Sequence, residues 1–379
     1  MTNCIVLGIR NNLLYPALFM LCINLLRIIK VASFPEIAKK DNNITITFFS
    51  ALTFLSNIIF SIIFLYLKNK SNKKKKNSKI VGIYVVQEGN SEHLKRLDSD
   101  SKIFFLIFLE AYLEFIGTIR QIYLLKVKPK NTLLIPLDIR IRSREIIFAS
   151  IICHFTIGAQ LKRHHIVSLI IIVIFLISLY IYEVYLQHKL DYYNSIFKFL
   201  ELQALKVLIN ICRVFADVIE KYLFEFNYFS PFKLLFLKGV MQTIFMSLFY
   251  LFNLNYIKEE FRILFSNNNN LYIVYSITAL LLYFFISGYC SIYKLFTVKM
   301  YSPMTRTLFD TILDIFYFIY FSIDENNEKK LNTPYFWVNI IGIIIMLFFN
   351  LVYNEFLVLN FWGMEKNTYL EISKRALEI

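Results

Sequence analysis

The chain has 379 residues, of which 57% are hydrophobic, and a formal net charge of +14. Soluble domains run near about 45–50% apolar even by a broader count, so this composition excludes a soluble globular protein. The apolar residues lie in blocks of about 17–25, the length that crosses a hydrocarbon core of about 30 Å as a helix, and they leave no room for a soluble catalytic domain.

Ten spans are expected, over 12–30, 46–67, 103–125, 131–158, 165–187, 203–224, 231–254, 271–293, 303–322 and 335–358. Runs such as IVSLIIIVIFLISLYIY are apolar on every face, which suits helices in lipid and not the alternating strands of a membrane barrel. The first block lacks a small-residue cleavage site after it and reads as a retained span.

The loop 68–102 follows the second span and holds ten Lys and Arg, including Lys73–Lys76. A short basic loop beside spans faces the cytosol, so the charge marks topology and not nucleic acid. Both termini and the tail 361–379 then face the cytosol. The Lys162-Arg163-His164-His165 loop agrees, with its histidines expected in water; Lys126, Lys128 and Lys130 fall on the other side.

Within the third span, Glu110 and Glu114 lie one helical turn apart, and like charges so placed need a cationic neighbour, a proton or water. Arg144 opens the apolar stretch REIIFASIICHF, after which a polar loop leads to a helix ending at Tyr182 and Glu183. In the sixth span Arg213 and Asp217 share a face and are spaced to neutralise one another. Lys238 interrupts the seventh span. Arg306 opens RTLFDTILDIF, with Asp310 and Asp314 one turn apart, and a following helix runs to Tyr353 and Glu355.

The Arg144 and Arg306 layouts match apart from ten positions, part of which the longer loop Asp324–Pro334 adds over Gln160–His165. Two five-span repeats follow, 1–187 and 203–360, joined by 188–199. Five is odd, so the second repeat inserts inverted, as in many secondary transporters with a midplane site. The fold class is thus an all-helical membrane protein in which the fourth and ninth helices cross near a central cavity. Arg144 and Arg306 would stand at opposite ends of one pathway.

Catalytic chemistry finds no support. There is no nucleophile elbow, HExxH, Walker sequence or glycine-rich phosphate loop. The five cysteines are scattered, without metal-site spacing. His154, beside Cys153, reads as a packing or cavity-lining residue. The expectation is a non-enzyme without metal or cofactor.

Four stretches carry a resemblance. PLDIRIRSREIIFASIICHF with LKRHHIVSLIIIVIFLI is similar to a fourth helix begun by a basic residue and a fifth after a basic turn. ADVIEKYLFEFNYFSPFKLLFLKG is similar to a sixth-to-seventh helix pattern, YSPMTRTLFDTILDIF to a ninth helix, and NIIGIIIMLFFNLVYNE to a tenth. Together they resemble the drug/metabolite transporter superfamily, in its nucleotide-sugar-transporter-like branch of ten spans. Relatives often carry an acidic residue where Lys238 precedes Gly239.

The resemblance implies a carrier of a nucleotide sugar or similar solute in the Golgi, endoplasmic reticulum or another endomembrane. Arginines bind phosphate or carboxylate in fork geometry, so Arg144, Arg306 and Arg213 are the expected substrate contacts, with Tyr289 and Ser291 lining the site. Asp310, Asp314, Glu110, Glu114 and Asp217 are the expected gating or ion-pair residues; the plainer reading makes these carboxylates helix–helix glue. Two alternatives stand beside the anion carrier. One is an exporter of cationic drugs or amines with Glu110, Glu114 and Asp314 facing the cavity; the other is a non-transporting scaffold. The expected partners are a small-molecule substrate and the lipid bilayer, with no nucleic acid, and a homodimer through outer helices is compatible with the layout.

Overall fold

The computed structural model describes residues 5–7, 42–77, 98–126, 144–190, 196–253, 270–308, 310–312 and 334–359, with 363, 368 and 371. The expected span 12–30 lies outside the described residues, as do parts of the fourth and ninth spans and Asp314.

The helices are α1 (Asn42–Asn77), α2 (Asp100–Lys126), α3 (Glu145–Ile157), α4 (Arg163–Leu190), α5 (Ile196–Phe226), α6 (Pro231–Phe252), α7 (Asn270–Met300) and α8 (Pro334–Tyr353). Residues 303–308 and 310–312, in the expected ninth span, are also helical. Apart from these, a short antiparallel pair joins β1 (Ile5–Leu7) to β2 (Leu357–Leu359), with Val6 opposite Val358.

Among the described residues, four helices are long and apolar enough to cross a membrane: Ser50–Lys70 of α1, Arg163–Tyr182 of α4, α6, and Leu280–Met300 of α7. Shorter apolar helices are α3 and Ile340–Tyr353 of α8. The expected third and sixth spans form α2 and α5, which carry several ionisable residues each.

The distribution of polarity is inverted relative to a protein in water. On α4 the exposed face is Ile166, Ile170, Ile174, Ile177 and Ile181, whereas Ser168 is fully buried. On α1, Leu55, Ile59 and Ile62 are exposed while Ser56, Asn57 and Ser61 are buried. Large exposed apolar faces are unstable in water and at ease in lipid, where polar groups turn inward to find partners.

Two compact units divide the chain. The first comprises Met1–Leu25, Val127–Val214 and Ser302–Ile379; the second comprises Leu26–Lys126 and Phe215–Tyr301. Each therefore draws on both sequence halves.

In the second unit α1 packs on α6, α2 and α7, and α6 packs in turn on α2 and α7. Two glycines permit the closest approaches. A Cβ on Gly239 would stand 3.0 Å from Ile58 of α1, and one on Gly288 would overlap the Phe60 ring. Hydroxyls add links between α1 and α7, at 3.0 Å for Ser56 with Ser287 and 3.0 Å for Thr53 with Tyr283. In the first unit α4 packs on α8, where Gly342 takes the Leu179 side chain. The Ser150 hydroxyl of α3 donates to Tyr353 of α8 at 2.8 Å.

Candidate functional site

The most concentrated chemistry lies inside the second unit, where three helices bring charge to one point. The Lys238 ammonium of α6 is 2.8 Å from Glu110 and 2.8 Å from Glu114 of α2, and 2.7 Å from Glu220 of α5. Helical geometry explains the grouping. Glu110 and Glu114 are four apart and face one way, toward the α6 face that also carries Gln242, itself four residues beyond Lys238. Gln242 donates to the second oxygen of Glu114 at 2.7 Å.

Glu110 is fully buried, and Glu114 keeps 21% of its side chain exposed. The carboxylates of Glu114, Asp217 and Glu220 lie within 4.8 Å of one another, a spacing at which they could hold a cation. The Lys238 ammonium already serves three of the four acidic groups at this point. The cationic neighbour that the Glu110/Glu114 spacing demanded is therefore Lys238.

The expected arginines lie elsewhere. Arg144 precedes α3 on the rim of an open, apolar hollow of about 230 Å³ that includes Phe148, Val173, Leu176, Ile177 and Tyr180. Arg213, on α5 in the first unit, stands 4.0 Å from Glu145. Arg306 is buried and stands 4.0 Å from Asp310, one turn on. Each of these two arginines thus has a carboxylate at the limit of ion-pair distance. Tyr289 is 42% exposed and packs its ring on Phe60 at 5.0 Å, an aromatic contact on an outer face. Ser291 is half-buried on the same helix. Asp314 lies outside the described residues.

A second group joins the start of α4 to the end of α8. His164 Nε2 is 3.2 Å from Glu355, and the His165 ring lies edge-on to His164 and tilted against Tyr353, with centroids at 4.1 and 4.6 Å. The expectation that both histidines face water is corrected here: His164 is 2% exposed and His165 half-buried, because the first turn of α4 packs under the end of α8. These three residues have metal-ligand types within 4.8 Å. However, His165 Nδ1 accepts the Lys162 backbone N–H at 3.1 Å, which leaves its proton on Nε2 and unsuits that nitrogen for a metal. His154 is exposed, with Nδ1 2.8 Å from the Ala159 carbonyl oxygen just past the end of α3.

Sequence reasoning missed Glu220 and Gln242. Glu220 is followed by Lys221, and adjacent opposite charges look self-satisfied. In the helix they diverge: Lys221 turns away to the Tyr301 carbonyl at 2.8 Å and to Glu225 at 2.9 Å.

In comparisons with known proteins, no family model matches the chain and no curated sequence matches it significantly.

Proposed function

We propose that the chain is a secondary carrier of the drug/metabolite-transporter type. It moves a small polar or anionic metabolite, a nucleotide sugar or a similar solute, across an endomembrane by alternating access. The packing scheme carries this reading. Advancing each expected span by five exchanges α1 with α6, α2 with α7, and α4 with α8. The packings of α1 on α6 and of α4 on α8 map onto themselves; α2 on α6 maps onto α7 on α1, and α1 on α2 onto α6 on α7. Repeats related by a twofold axis in the membrane plane produce such closure, and many secondary carriers are built that way.

Contacts at helix ends support the ten-span path. Asp98, before α2, bonds Asn227, after α5. Lys221, near the end of α5, bonds the Tyr301 carbonyl after α7. His164, in the first turn of α4, meets Glu355 after α8. The β1–β2 pair joins segments before the first span and after the tenth. Each contact links ends that ten crossings with a cytosolic N-terminus would leave on the cytosolic face.

The substrate class is supported by Arg144, Arg213 and Arg306, which all belong to the first unit and suit phosphate or carboxylate. The carboxylates around Lys238 favour a second reading, export of cationic amines. Purified protein in proteoliposomes, preloaded with a nucleotide monophosphate, decides between them when offered labelled nucleotide sugars in one arm and organic amines in another. The expected result is anion exchange, reduced about tenfold to hundredfold by Arg144→Ala or Arg306→Ala, the worth of a hydrogen bond to a charged group. Amine transport alone would favour the second reading, and no exchange of either class by folded protein would sink the carrier.

A further inference from the structure

The group around Lys238 has a charge imbalance that anion binding does not use. Three carboxylates on one ammonium give, three minus one, a formal charge of −2 when all are ionised. Glu110 and Glu220 have side-chain exposures of 0% and 2%, so water screens little of that charge. Like charges this close in a low-dielectric interior repel strongly, and a membrane span is the costliest place to keep them. Glu110 Oε2 is fully buried with no hydrogen-bond partner among the described residues.

Other charged groups stand on the helices around the cage, among them Arg213, one turn before Asp217 on α5. From α5, Asp217 adds a further carboxylate, while Lys221 is directed to the Lys299 and Tyr301 carbonyls and to Glu225. On α6, Lys233 is exposed; on α7, Lys294 is half-buried and Lys299 exposed. Residues 50–67 of α1 include no Asp, Glu, Lys, Arg or His.

We infer that the cage is a proton-coupling site. Glu110 takes up one proton, converting carboxylate to carboxylic acid, and releases it again as the carrier cycles. Lys238 is the fixed counter-charge, and the partly exposed Glu114 is the exchange point with water. The inference rests on the carrier reading and adds the coupling ion to it.

Two measurements on the full-length chain test this. The first is the infrared carbonyl stretch of a neutral carboxylic acid in purified protein at pH 7, compared with Glu110→Gln and Glu220→Gln. A band present in the wild type and lost in Glu110→Gln is expected; absence of the band, or its persistence in Glu110→Gln, overturns the inference. The second is solute accumulation in proteoliposomes under a one-unit pH gradient, with the membrane potential clamped at zero. One coupled proton per solute sets an accumulation limit of about tenfold, which Glu110→Gln should abolish. Wild-type exchange that ignores the gradient, or that follows sodium instead, overturns coupling and leaves the carrier intact. An infrared band without gradient-driven accumulation makes the proton structural and also overturns coupling. No exchange at equal pH in any arm defeats the carrier reading itself.

Discussion

Lys238 shows how much one side chain determines in an apolar interior. Its ammonium touches three carboxylates, and removing it would leave them buried without that cation. Lys238→Ala should therefore destabilise the protein by about 3–5 kcal/mol, the usual cost of breaking a buried charge pair. Adding Glu110→Gln to that variant should recover part of the loss, because one of the repelling charges goes with it. Thermal unfolding of the four proteins of this cycle in detergent measures the coupling, and strictly additive losses would contradict the geometry. In the sequence, the spacing of Glu110 and Glu114 already required a proton, water or a cationic neighbour. Which lysine supplies it depends on which faces of α2 and α6 meet, and spacing along the chain does not encode that.

At the scale of elements, composition located the helices better than it located their ends. The expected second span stops at 67, whereas α1 continues to Asn77, about 54 Å in 36 residues. Its lysine-rich end stays helical because backbone hydrogen bonding does not stop where apolar side chains do. The tenth span was expected to reach 358, yet α8 ends at Tyr353. The Phe356 N–H bonds the Leu351 carbonyl and the Glu355 N–H the Val352 carbonyl, with Glu355 at a φ of 59°. That pairing is a Schellman stop with Glu where glycine is usual, so the residue type gave no signal of it.

The start of α2 is tied down by Asp98, which receives hydrogen bonds from Lys102 at 2.6 Å, Tyr222 at 3.0 Å and Asn227 at 3.1 Å. The Lys102 ammonium, helped by Asn227 and Tyr222 and opposed by burial, holds the Asp98 carboxyl below its usual range. A carboxyl lowered on folding stabilises above its unfolded value, about 3.9, and that contribution is lost as pH falls through the folded value. Asp98→Ala should thus cost about 1 kcal/mol at pH 7, a figure kept small by the exposure of Lys102. The difference from wild type should close below about pH 4 in melting curves; a gap independent of pH would assign the effect to packing.

For the whole molecule, the proposed path makes a prediction about sides of the membrane. Lys70 at the end of the first apolar helix and Lys233 at the start of α6 should face the cytosol, and Phe252 the opposite side. In a background without reactive native cysteines, an impermeant maleimide applied to sealed vesicles should label Lys70→Cys and Lys233→Cys from one side and Phe252→Cys only from the other. Labelling of all three from one side would break the path.

The sequence by itself determined that this protein is helical with helices apolar enough to cross a membrane, because continuous apolar blocks in lipid leave no other way to satisfy the backbone. It also determined that charges placed inside those blocks must be partnered. Only the tertiary structure decided which charges share a site. It gathered Glu110, Glu114, Glu220 and Lys238 from three helices and left Arg144 at the edge of an apolar hollow. The physical reason is that hydropathy and helical period are local properties of the chain, whereas partner choice depends on which helix faces pack, and small contacts such as Gly239 on Ile58 and Gly288 on Phe60 set that packing.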